Sequence, residues 1–162
     1  MKSYIKAPVA ALLTGLFALP TAILASPEHA RIDGNKFKNS ADGSLYQWQL
    51  VTDGFGRTGD IIEVKFTVSK GVHYGLATGI DTNMANLDAT IYAEEWQVIV
   101  EDRTPRSRVF VTWCAQYSGT AIVHVHVRST TSAKEGAYSV WLGSLEMQRV
   151  QKLDAATAPG GN

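Results

Sequence analysis

Between residues 44 and 145, apolar residues recur at every second position. Tyr46, Trp48 and Leu50 alternate with Gln47 and Gln49, and Ile62, Val64, Phe66 and Val68 with Glu63, Lys65 and Thr67. Tyr74, Leu76 and Ile80 share one parity, with Gly75 and Gly79 on the other. The same alternation marks Leu87-Ala89-Ile91, Trp96-Val98-Val100, Val109-Val111-Trp113, Val123-Val125-Val127 and Tyr138-Val140-Leu142. Successive side chains of an extended strand project to opposite faces, so each set predicts a strand with one buried face. Turn-forming pairs punctuate the runs: Asp53-Gly54, Lys70-Gly71, Thr82-Asn83, Thr104-Pro105, Ser118-Gly119 and Glu135-Gly136. No helical apolar stripe and no internal repeat is visible in this region. The pattern predicts an all-β chain, an antiparallel, jelly-roll-like β-sandwich of about eight strands. A partly closed β-barrel is the alternative, because glycines such as Gly75 and Gly79 could mark bulges or barrel corners.

The two ends read differently. Residues 1–25 combine a basic start (Lys2, Lys6), an apolar stretch and small residues ending at Ala25, the pattern of a cleavable signal peptide. Pro8, Thr14, Gly15 and Pro20 interrupt the run, which disfavours a stable membrane span after leader removal. Residues 26–43 are polar, with Pro27, Gly34, Asn35, Asn39 and Gly43, and show no sustained period; they read as a flexible N-terminal arm. The sandwich is assigned to 44–150 and a disordered tail to 151–162. The expected destination is the periplasm or the outside of the cell.

Charge narrows the function classes. Fifteen basic residues balance fifteen acidic ones, and losing Lys2 and Lys6 with the leader leaves 13 against 15. Without a basic block, sequence-independent nucleic-acid binding is excluded as an expectation. A single cysteine, Cys114, rules out an intrachain disulfide and a four-thiolate zinc site.

The pieces LYQWQLV (45–51), GDIIEVKFTV (59–68), YGLATGID (74–81), LDATIY (87–92), VIVED (98–102), SGTAIVHVHV (118–127) and GAYSVWL (136–142) follow one another in an order that resembles the bacterial pre-peptidase C-terminal domain family. Ala121 and Ala89 depart from it, standing where the family usually has an aromatic and a larger apolar residue. The resemblance implies a small β-sandwich on an exported protein, serving as an accessory or binding module. Some members bind calcium.

Several constellations carry candidate chemistry. His124 and His126 flank Val125, so both imidazoles project to one face, a spacing that suits zinc or copper if His73 or a carboxylate adds a further ligand. Core placement of Val123, Val125 and Val127 would instead leave both histidines on the wet face. Asp81, Asn83, Asn86 and Asp88 gather oxygens that could chelate calcium, although Asn and Asp also fill turns for conformational reasons. The glycines of Gly54-Phe55-Gly56-Arg57-Thr58-Gly59 precede a strand rather than a helix, which argues against a dinucleotide loop. Glu94-Glu95 and Glu101-Asp102 are adjacent pairs that point opposite ways on a strand, unlike a glycosidase pair. Trp141 has the parity opposite to Val140 and Leu142, so it faces outward or into a second layer; with Tyr92 it is a candidate for stacking on a ligand. These features predict a non-catalytic exported module that binds an extracytoplasmic protein, glycan or envelope component. The alternatives are a small extracytoplasmic hydrolase and a metal-binding protein using His124 and His126.

Overall fold

The computed structural model describes residues 26–40, 44–131 and 135–145. The signal-peptide and tail assignments lie outside the described residues. One helix, α1 (Pro27–Lys38), precedes eight strands: β1 (Gln47–Gly56), β2 (Ile61–Val68), β3 (His73–Ile80), β4 (Met84–Ala93), β5 (Val98–Asp102), β6 (Phe110–Cys114), β7 (Gly119–Thr130) and β8 (Gly136–Leu145). They form two four-stranded sheets, ordered β1-β8-β3-β6 and β2-β7-β4-β5, with every pairing antiparallel. The architecture is the expected sandwich, and the two sheets do not close into a barrel.

The core follows from the alternation. Leu87, Ala89 and Ile91 of β4 and Val123, Val125 and Val127 of β7 are almost fully buried, facing Leu76, Val111, Trp113 and Val140 of the other sheet. Phe66, Tyr74 and Trp113 pack at centroid separations of 5.6 to 6.1 Å. Each fully buried aliphatic side chain contributes about 1.5–3 kcal/mol, so this interior holds the sheets together.

The first correction concerns residues 26–43. Where an arm was expected, Pro27–Lys38 forms α1, laid across the outer face of the β1-β8-β3-β6 sheet. Its start is written in Ser26-Pro27-Glu28. The Ser26 Oγ accepts the His29 N–H at 3.4 Å, Pro27 needs no hydrogen-bonding partner for its nitrogen, and Glu28 is acidic in the first turn. Short length and Gly34 hide the amphipathic period, yet Ala30 is fully buried. Docking depends on glycines facing each other across the contact. A Cβ on Gly79 would collide with the Ala30 carbonyl and the Gly34 nitrogen, and a Cβ on Gly34 with the Trp141 indole. Gly75 and Gly143 similarly make room for the Trp48 ring. These strand glycines admit close neighbours rather than turning a barrel corner.

The second correction concerns Trp96-Val98-Val100, expected to share one buried face. Tyr92 pairs with Val98, but its neighbour Ile91 pairs with Val100, so Ile99 is an extra residue on β5. A bulge of this kind reverses the faces of the residues on either side. Val98 is consequently 49% exposed, while Ile99 and Val100 pack against the core; Trp96, 55% exposed, precedes β5 and lies in the β4–β5 connection.

Candidate functional site

With Val123, Val125 and Val127 in the core, the other face of β7 carries Ile122, His124, His126 and Arg128. The ladders then set their neighbours. Glu63 of β2 and Thr90 of β4 flank His124, Ile61 and Asp88 flank His126, and Lys65 and Tyr92 flank Ile122. This is the outer face of the β2-β7-β4-β5 sheet, and α1 lies on the opposite side of the molecule, against the other sheet.

An aromatic–imidazole cluster occupies this face. The Tyr92 ring lies 5.2 Å from His124 and 5.5 Å from Trp96, Trp96 lies 5.5 Å from His124, and His126 follows at 6.1 Å. The His124 Nε2 meets the Glu63 carboxylate at 3.0 Å, and Lys65 approaches the other Glu63 oxygen at 3.0 Å. The hydrogen bond from His124, then that from Lys65, holds the Glu63 carboxyl below its usual range. His126 is pushed below the ordinary imidazole value, chiefly by desolvation and then by the Arg128 charge. Asp88 is buried, and one of its oxygens accepts from the Arg128 Nε at 2.5 Å.

Trp96 sits on a strained backbone. The β4–β5 connection is closed by the Trp96 N–H donating to the Ala93 carbonyl at 2.9 Å and the Ala93 N–H donating to Gln97 at 2.8 Å. Trp96 itself has φ 61°, the left-handed conformation usually given to glycine or asparagine at this point of a hairpin. For an L-residue that conformation costs about 1–2 kcal/mol. No other non-glycine residue among those described has a positive φ.

The sequence-derived candidates are distributed unevenly over this geometry. Tyr92, His124 and His126 do come together. Trp141 does not join them: it lies on the other sheet, only 8% exposed beneath α1, where its Nε1 donates to Ser139 and Lys38 rests 3.9 Å above its ring. Trp96 is the tryptophan that accompanies Tyr92. The proposed third ligand, His73, is on β3 of the opposite sheet. Among the described residues, no three His, Cys, Asp or Glu side chains are placed to hold a metal ion. The calcium candidates are also separated by their partners. Asp81 Oδ1 accepts backbone N–H groups from Asn83, Met84 and Ala137, whereas Asp88 pairs with Arg128. Asn86, like Asp88, retains a buried side-chain oxygen without a hydrogen-bond partner. Cys114 lies on β6, in the sheet opposite Glu63 and His124, so no thiol meets that pair.

Glu63 and Trp96 were missed as members of the cluster. Glu63 becomes legible only once the β2–β7 register is known. Trp96 carries one signal, its position four residues after Tyr92 across a short connection.

Fold and face together define an antiparallel β-sandwich with one helix-covered sheet and one open, aromatic-bearing sheet. No known protein family and no curated protein matches the chain. Among solved structures it is similar to PliG of Aeromonas hydrophila, a periplasmic lysozyme inhibitor of g-type lysozyme. The match has 13% identity and a TM-score of 0.44, and covers 64% of this chain and 90% of that one.

Proposed function

We propose that the protein is an exported, non-catalytic module that binds another extracytoplasmic protein through the outer face of the β2-β7-β4-β5 sheet. The observation that carries this reading is Trp96, half exposed on a left-handed backbone beside Tyr92 and His124. Backbone strain persists where the displayed side chain is used, and an exposed tryptophan is a frequent anchor of protein interfaces. The surroundings favour a protein over a glycan. Ile61 and Val98, 55% and 49% exposed, offer aliphatic surface that buries well against other side chains and gives nothing to sugar hydroxyls. The ion pairs Glu63–Lys65 and Glu101–Arg103 supply a charged rim. An accessory module is also what the resemblance to pre-peptidase C-terminal domains implies.

The test is site-specific photo-crosslinking in the exported protein. A crosslinker at Ile61 or Val98 is expected to trap one partner protein, and one at Glu28 on α1 to trap none. Absence of an adduct from either face position, or adducts from all three, overturns the reading. Binding of envelope glycans that Trp96→Ala abolishes would replace the protein partner with a sugar.

A further inference from the structure

Asp81 follows directly after β3 and is only 6% exposed. Its Oδ1 accepts three backbone N–H groups, from Asn83 at 3.0 Å, Met84 at 3.1 Å and Ala137 at 3.0 Å, tying the β3–β4 turn to the start of β8. Its Oδ2 faces the backbone nitrogen of Ser26, 3.2 Å away at the head of α1. Among the described residues no cationic side chain pairs with this carboxylate. The nearby Arg108 is committed to Asp33, holding both of its oxygens. A buried carboxylate left without a counter-charge is expensive.

The nitrogen facing Asp81 is the one that cleavage after Ala25 would free. We propose that Asp81 is the receptor for the α-ammonium of Ser26, so that leader removal completes a half-buried ion pair that clamps α1 onto the sandwich. The inference rests on the signal-peptide reading and is independent of the partner-binding face. Hydrolysis by a signal peptidase adds water across the Ala25–Ser26 bond. Ala25 leaves as a carboxylate, and the Ser26 amine takes up a proton. One neutral N–H thereby becomes a cation with three donors, and its hydrogen bond to Oδ2 becomes charge-assisted.

The surroundings can accept the new group. A cavity of about 450 Å³, lined by His29, Ile32, Asp33, Ile80, Asp81 and Arg108 among others, opens beside the site and admits water to the remaining donors. The titratable and charged groups lining it are His29, Asp33 and Lys36 of α1, with Asp81 and Arg108 from the sandwich; Glu28, in the first turn of α1, pairs with Arg31. The positive end of the helix disfavours an ammonium at its head; Asp81 supplies the opposing charge at hydrogen-bonding distance. The free amine thus ties to the sheet a helix that otherwise docks through the contacts of Ala30, Arg31, Asp33 and Lys38.

The experiment uses the exported protein recovered from the cell. Its intact mass is expected to place the N-terminus at Ser26; any other terminus refutes the cleavage site and the clamp with it, leaving the binding reading untouched. Carbon-13 dimethylation of the amine then reports its titration by NMR. The folded amine is expected to titrate about one pH unit or more above the same amine in urea. Asp81→Asn is expected to remove the difference. Should that variant fail to fold, a chain cleaved one residue earlier and retaining Ala25 provides the second reading. It is expected to unfold several degrees below the Ser26 form. Equal titration in the folded and urea-unfolded protein, or equal melting of the two chains, overturns the proposal.

Discussion

Gly79 lies directly beneath Ala30, so close that a Cβ at position 79 would collide with the Ala30 carbonyl oxygen. That carbonyl accepts the Ser139 hydroxyl at 2.8 Å, and Ser139 in turn accepts the Trp141 Nε1–H at 3.1 Å. One hydrogen from a glycine thus sets the height at which α1 rides over the sheet and seals Trp141 from solvent. Gly79→Ala is expected to lift the helix and destabilise the protein by about 1–3 kcal/mol, the usual range for overpacking. Urea unfolding would measure the loss. Faster proteolysis within residues 27–38, with the strand signal retained in circular dichroism, would place it at the helix.

Trp96 exchanges stability for display. Trp96→Gly removes the left-handed strain at φ 61° while losing ring contacts to Tyr92 and His124. Gain and loss are each about 1 kcal/mol, so the melting temperature is expected to stay within a few degrees of wild type. Partner capture through the open face is expected to fall at least tenfold. A variant that melts far below wild type would make Trp96 a structural residue.

His126 predicts a sensitivity to mild acid. Its folded value is lowered by desolvation, then by Arg128 and His124, with Asp88 opposing and Arg103 adding to the depression. The unfolded chain therefore takes up this proton at a higher pH than the folded chain does. The contribution is intact above the ordinary imidazole value of 6.5 and is lost as pH falls through the lowered folded value. The urea midpoint is expected to decline on acidification through this window, and less steeply in His126→Gln. Glu63, also depressed, acts in the same direction only further down, below the ordinary carboxyl value of 4.5.

Calcium is expected to leave the melting temperature unchanged. Asp81 is occupied by the turn and β8, and Asp88 by Arg128. Calcium at a hundred times its dissociation constant would stabilise the fold by about 2.7 kcal/mol, readily visible as a shift in thermal unfolding. Such a shift would restore the 81–88 segment as a cation site.

Legibility followed the range of each cause. Val123, Val125 and Val127 announce a buried face because strand geometry alone dictates the alternation, and the same rule sends His124 and His126 to the opposite face. The Ser26-Pro27 start of α1 was also present, but a helix of 12 residues with Gly34 in its middle lacks a clear period. Glu63 meets His124 only through the β2–β7 register, a property of two strands rather than one.

The amino-acid order alone determined the antiparallel sandwich and most of its inward-facing core, because a two-residue repeat is local and its burial is driven by hydrophobic surface; it did not decide which face is inward, and Trp48 and Leu50 pack on the outer side of their sheet. Tertiary structure decided which outward residues remain available. Trp141 disappeared beneath a helix from the far end of the described chain, Trp96 came to the surface on the left-handed turn between β4 and β5, and Val98 did so because Ile99 is one residue too many for its ladder. The first and the last of these depend on how distant segments meet, and a pattern of neighbours carries no record of that meeting.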